Sequence, residues 1–255
     1  MPDSTRIHSP TRYDSPVPPE LPPTPPYSPR RLARLTACPL PDLLAGDVVV
    51  AAAGLLGCVL VRTLPDGTVL RVMLVETEAY HMREPGSHAY RGKTPRTAVM
   101  FGPPGYAYVY FTYGMWHCVN IVCEPPGSAA AVLLRAAVLV GDEFSAGAEQ
   151  CSAQTSVDAT RAEHCSAPTK PPRLSGPGLL CHALQLTREH SGLNMLDPAS
   201  PLRIERPADW KLPPIEWTTR IGFSFPDTYP WRAVWKGHPG VSPGRPGVVL
   251  NRKRS

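Results

Sequence analysis

The sequence predicts an α+β protein: a single mixed domain built on a curved antiparallel β-sheet with surrounding helices. Two hairpin patterns and a long apolar strand carry that expectation. Residues 59–64 and 69–80 are β-rich runs on either side of Pro65-Asp66-Gly67-Thr68, and an Asp-Gly turn between such runs signals a hairpin. Residues 106–112 and 116–122 flank a second tip at Tyr113-Gly114, and residues 130–139 form an apolar strand interrupted by Arg135. Strands that dominate a chain with few helices around them favour an antiparallel sheet over alternating βα units.

The elements follow in order. Residues 1–41 read as a disordered proline-rich tail, because the run 16–26 can form neither helix nor paired strand. Arg30, Arg31 and Arg34 add cationic charge at its end. The domain is expected over 42–244. Asp47 is placed to cap a helix to about Leu56, which Gly57 ends. This helix and the next strand share the longest apolar run, 48–61, which is too short to cross a bilayer. Residues 141–172 are rich in Ala, Ser, Thr and Cys with little periodicity, and read as a flexible insertion loop. A short helix is expected over 179–186, after Gly176-Pro177-Gly178, and the last strands over 219–225 and 231–236. Residues 245–255 form a basic tail.

Composition narrows the function classes. The 255 residues carry a formal charge of +5, which suits a polyanionic partner without demanding one. The seven cysteines are odd in number and include no C-x-x-C, so neither a zinc site nor a disulfide framework is expected. Residues 1–10 have no apolar core of a signal peptide. The chain is therefore expected in the cytoplasm and nucleoid, or in a nucleus, and not secreted or membrane-bound. Dinucleotide, P-loop, metalloprotease, serine-hydrolase and zinc-deaminase motifs are missing from the sequence, and no metal or cofactor is expected.

The chemistry concentrates in residues 74–120. Strand alternation puts Glu76, Glu78 and Tyr80 on one face. Two carboxylates and a phenol there are either a solvated strand end or a functional face. Tyr106, Tyr108 and Tyr110 share a face of the second hairpin, as a cross-strand aromatic ladder would. A ladder does not account for Tyr113, which sits at the tip beside Gly114 and Met115, where a large side chain gains little from packing. An apolar group on a stiff hairpin is the wedge that some proteins insert between base pairs. Asn120 and Arg135 each interrupt an apolar strand, and a buried polar group needs partners or a ligand. His88 lies in a polar loop.

These residues resemble the alkyladenine (3-methyladenine) DNA glycosylase family. The resemblance is carried by Leu55-Leu56-Gly57, Val75-Glu76-Thr77-Glu78-Ala79-Tyr80, Ser87-His88, Thr94-Pro95-Arg96, Met100-Phe101-Gly102-Pro103-Pro104-Gly105, Tyr108-Val109-Tyr110, Tyr113-Gly114-Met115 and Asn120. It continues in Leu134-Arg135-Ala136, Gly176-Pro177-Gly178, Arg220-Ile221-Gly222 and Pro230-Trp231-Arg232, covering roughly 45–140 and 174–242. It implies a monofunctional enzyme of base excision repair that acts as a monomer on double-stranded DNA containing damaged purines. It implies no metal, no cofactor and no helix-hairpin-helix. Glu78 would be the general base that activates water. Tyr80, His88, Tyr110, Asn120 and Arg135 would form the base pocket. Tyr113, with Met115, would enter the duplex.

Two departures stand out: the loop from Tyr80 to His88 is one residue short of the family's, and Leu179 stands where the family commonly has lysine. They motivate an alternative, a catalytically weak DNA-lesion-binding protein on the same scaffold. A third reading, an interaction protein whose proline-rich tail recruits a partner, rests on residues 1–41 alone.

Overall fold

The computed structural model describes residues 32–141, 173–222, 227 and 229–244. Residues 1–31 of the tail expected over 1–41, the tail expected over 245–255, and almost all of the insertion loop over 141–172 lie outside the described residues.

Helix α1 (Leu40–Ala45) and helix α2 (Val48–Gly54) lead into strand β1 (Val59–Thr63). The Asp47 side chain caps α2 as expected, accepting from the amides of Val49 at 2.9 Å and Val50 at 3.1 Å. Strand β2 (Val69–His81) returns from the Asp-Gly turn, where Gly67 has φ +88°. Strands β3 (Ala107–Thr112), β4 (Trp116–Cys123) and β5 (Ala130–Leu139) follow, then helix α3 (Pro177–Ala183). The described chain ends through β6 (Leu202–Glu205), β7 (Ile215–Thr218) and β8 (Arg232–Trp235).

These strands form one antiparallel sheet in the order β3-β4-β5-β2-β1-β6. The long β2 is its spine. It pairs β5 along one edge, and β1 and then β8 along the other. Register shifts at Glu76 mark a bulge in its middle. The expected α+β class is therefore the observed one.

Two expectations are corrected. The expected strand over 219–225 does not form in its described part: the strand before β8 is β7, Ile215–Thr218, Thr219–Gly222 leave the ladder, and 223–225 lie outside the described residues. The physical reason is that Arg220 and Ile221 spend their amides on the buried carboxylates of Asp227 and Glu78 rather than on a neighbouring strand. Ordered structure also begins before Asp42. Leu35, on a 3-10 turn over Arg34–Ala37, is 5% exposed and part of the core. Arg206 ties this segment down by donating to the carbonyls of Leu35, Cys38 and Gly54.

The main core lies on one face of the sheet, where α2 packs on β2 and α3 on β4 and β5. A smaller apolar cluster of Ala89, Met100, Tyr108, Val122, Ala129 and Ala131 lies apart from it, under the 82–101 segment. The expected helix over 179–186 is α3, shifted two residues earlier because Pro177 starts it.

Candidate active site

One face of three neighbouring strands walls a cavity of about 310 Å³. Tyr108, Tyr110 and Thr112 of β3, Cys118 and Asn120 of β4, and Leu133 and Arg135 of β5 line it. The intervening Val109, Val119, Val132 and Leu134 belong to the main core. Period-two alternation thus explains why polar residues interrupt these apolar strands where they do. Tyr80 of β2, Gly86 and His88 of the next loop, and Ile221 and Gly222 close the cavity. Its volume falls at the low end of the roughly 300–1,000 Å³ typical of small-molecule sites.

Glu78 sits immediately behind this wall and is fully buried. Its Oε1 accepts from the Ile221 amide at 2.8 Å. Its Oε2 accepts from the Tyr80 hydroxyl at 2.8 Å and from Arg135 Nη1 at 3.3 Å. All three donors line the cavity. A carboxylate has about four acceptor sites, so one remains for a further donor such as water. Burial pushes the Glu78 carboxyl above the usual carboxylate range, and Arg135, the Ile221 amide and the Tyr80 hydroxyl only partly counter it.

Glu76 shares Arg135 but has another environment. Its Oε1 accepts from Arg135 Nε at 2.8 Å, Arg232 Nε at 2.7 Å and the Ser242 hydroxyl at 2.9 Å. Its Oε2 accepts from the Ser242 amide at 2.7 Å. Burial opposes its ionisation, but Arg135 and Arg232 outweigh burial and hold the carboxyl below the usual range. The two neighbours are thus pushed apart, one below and one above the usual carboxylate range, a pattern that separates structural from reactive carboxylates.

The other predicted site residues converge on the same cavity. His88 Nδ1 lies 3.1 Å from the Tyr108 hydroxyl, and its ring meets Tyr110 edge-on at 4.5 Å. Burial, helped by Arg96, pushes the imidazole down to about 4, so it is neutral near pH 7. Asn120 is buried and donates from Nδ2 to the Tyr108 carbonyl at 3.0 Å. Tyr113 and Met115 stand at the β3–β4 tip, 78% and 69% exposed. Tyr113 (φ +51°) and Gly114 (φ +70°) are both left-handed, the twist that a tight hairpin turn requires. A tyrosine held there and exposed has no packing reason of its own.

Sequence reasoning missed several contributors. Tyr108 was grouped with Tyr110 by face but not assigned to the pocket, although alternation pointed to it. The Ile221 amide carries no side-chain signature. Arg220 has no sequence signal that ties it to the site, yet its guanidinium lies 4.6 Å from the Tyr80 ring centroid. Among the described residues, no three His, Cys, Asp or Glu side chains are grouped to hold a metal ion, and no helix is long and apolar enough to cross a membrane.

This arrangement can be compared with known proteins. The model of the methylpurine-DNA glycosylase family matches residues 42–239. The chain belongs to that family. A protein of Synechococcus sp. (strain JA-3-3Ab) is 44% identical over 207 residues, 79% of this chain and 97% of its own length. One of Streptomyces avermitilis is 41% identical over 217 residues, 83% of this chain and 94% of its own length. Both carry the provisional name 3-methyladenine DNA glycosylase. The family match starts at Asp42, so the ordered turn around Leu35 lies ahead of it.

Proposed function

We propose that this methylpurine-DNA glycosylase family member is a monomeric base-excision repair enzyme. It flips an alkylated or deaminated purine out of duplex DNA and hydrolyses the N-glycosidic bond with a Glu78-activated water. The observation that supports this most is Glu78 itself: a buried carboxyl with a raised pKa, held by three donors that line an aromatic cavity. Names of the relatives support the substrate class.

A base inside a duplex is out of reach, so it must leave the stack at a cost of a few kcal/mol, least for a damaged pair. Stacking on one aromatic wall, Tyr80 or Tyr110, returns roughly 1–3 kcal/mol. Water then attacks the sugar C1′. The new O–C1′ bond forms as the C1′–N9 bond breaks, its electron pair leaves with the purine, and the water proton passes to Glu78. A cationic alkylpurine leaves as a neutral base, and a neutral deaminated purine leaves as its anion, which then takes a proton from water. His88 is neutral at working pH and serves the base edge by hydrogen bonding rather than by charge. The deciding assay is single-turnover excision from duplexes containing 3-methyladenine, ethenoadenine or hypoxanthine. Tight binding to every lesion with no base released would select the alternative, a lesion-binding protein, which Leu179 in the lysine position favours.

Tyr113→Ala weakens lesion-duplex binding about tenfold or more, the worth of one lost stacking contact, and barely changes melting. Its exposure in the free protein is the reason. Comparing the two measurements checks it: a large drop in melting temperature with normal affinity would make Tyr113 a packing residue.

Asn120→Ser lets the pocket accept guanine-type bases better. Guanine differs from hypoxanthine by its C2 amino group. A side chain packed there excludes that group by contact and by leaving its donors unpaired, worth ~1–3 kcal/mol. Single-turnover excision of hypoxanthine and of mismatched guanine measures the ratio. A ratio that does not fall in the variant makes Asn120 a purely structural link to Tyr108.

A further inference from the structure

Arg220 is the largest fully buried side chain among the described residues, and it does not line the cavity. Its Nη1 donates to Glu84 Oε1 at 2.7 Å and to the Ala79 carbonyl at 3.0 Å. Its Nη2 donates to Glu84 Oε2 at 2.9 Å and to Asp227 Oδ1 at 3.0 Å. Its Nε donates to Asp227 Oδ2 at 3.0 Å. The guanidinium therefore holds two carboxylates and stacks behind Tyr80.

Each partner leads to a different wall of the cavity. Tyr80 donates its hydroxyl to Glu78. Glu84 Oε2 also accepts the Gly86 amide at 2.7 Å, and Gly86 lines the cavity. Asp227 accepts the Arg220 amide at 2.9 Å, which fixes the backbone one residue before Ile221. Ile221 in turn gives its amide to Glu78. Stability is a weak reason for such a cluster, because well-packed apolar residues often replace buried ion groups without loss. What an ionic clamp supplies is direction: planar bidentate pairs fix orientation more closely than apolar packing does.

We propose that Arg220, clamped by Glu84 and Asp227, is a positioning residue that aligns the Tyr80 hydroxyl and the Ile221 amide on Glu78. Two of the three donors on the carboxylate then depend on one guanidinium that never meets the substrate. The inference rests on the reading of Glu78 as the base.

The test uses Glu84→Gln in the full chain, with Leu202→Ala as a control. Leu202 is buried on β6, away from the cavity, and reports general loosening. Hydrogen exchange at the Ile221 amide, thermal melting and single-turnover excision of hypoxanthine across pH are measured on both. In Glu84→Gln the Ile221 amide, which the substitution does not touch, exchanges about tenfold or more faster than global stability allows. The maximal excision rate falls about 10–100-fold, as for a misplaced catalytic group, while half-saturation moves less than about twofold. The acid limb of the rate profile rises, because looser donors favour the protonated carboxyl. Ile221 exchange and rates that merely follow melting, as in Leu202→Ala, overturn the proposal, as does an acid limb that does not rise. Should Glu84→Gln fail to fold, Asp227→Asn keeps the Glu84 pair and gives the same readouts. A wild type that excises none of the lesions ends the glycosylase reading alone, and Ile221 exchange still decides the clamp.

Discussion

Glu78→Gln leaves the fold and lesion binding in place and lowers excision by at least ~10²-fold, the usual cost of a lost general base. Gln keeps the shape and an oxygen that can accept the Ile221 amide, but it cannot take a proton from water. Single-turnover excision, melting and duplex affinity are the measurements, and near-normal excision would remove Glu78 from the chemistry. The wild type adds a pH signature. Only the carboxylate is a base, and burial raises the carboxyl above its ordinary value of 4.5. Activity is therefore lost as pH falls through a value higher than an ordinary glutamate would give. An acid limb at or below 4.5 would mean that bulk solvent surrounds Glu78 and that its buried geometry does not hold in the working enzyme.

The sequence was most legible where one physical rule acts alone. Period-two alternation put Glu76 and Glu78 on one face, and both reach Arg135. It also separated the cavity face of β3–β5 from the core face, so Asn120 and Arg135 were visible as interruptions of apolar strands. The exposed tip at Tyr113 followed from turn chemistry. Legibility failed where tertiary contacts decide. The residues after β7 look strand-forming, yet their amides serve Asp227 and Glu78, which no local pattern shows. Leu35 lies beyond a proline tract that suggests disorder, and only its contacts with the core reveal that the chain is ordered there. Glu84 lies in a loop whose composition is polar, yet it is buried against Arg220, 136 residues away.

Arg135→Met should separate the base from its counter-charge. Arg135 is the cation nearest Glu78, while Glu76 keeps Arg232 and Ser242 when Arg135 is removed. Breaking a buried pair by deleting one partner costs about 3–5 kcal/mol when the other charge is left exposed to the low-dielectric interior. Glu78 can escape that cost by protonating. Its pKa, already raised, then rises further, and the sign follows: a carboxyl whose folded pKa is raised contributes stability at low pH that is lost as pH climbs through the folded value. The variant should therefore melt closest to wild type near pH 5 and fall away toward pH 8. The acid limb of the excision profile should lie at higher pH than in the wild type, and the activity lost there should recover in part as pH increases. Glu78→Gln has no such recovery, because nothing there can ionise. Melting and single-turnover rates measured from pH 5 to 9 check both limbs. A melting deficit that does not vary with pH, together with an unmoved rate profile, would show that Arg135 supports the strand by packing and that Glu78 is kept ionised by its other two donors.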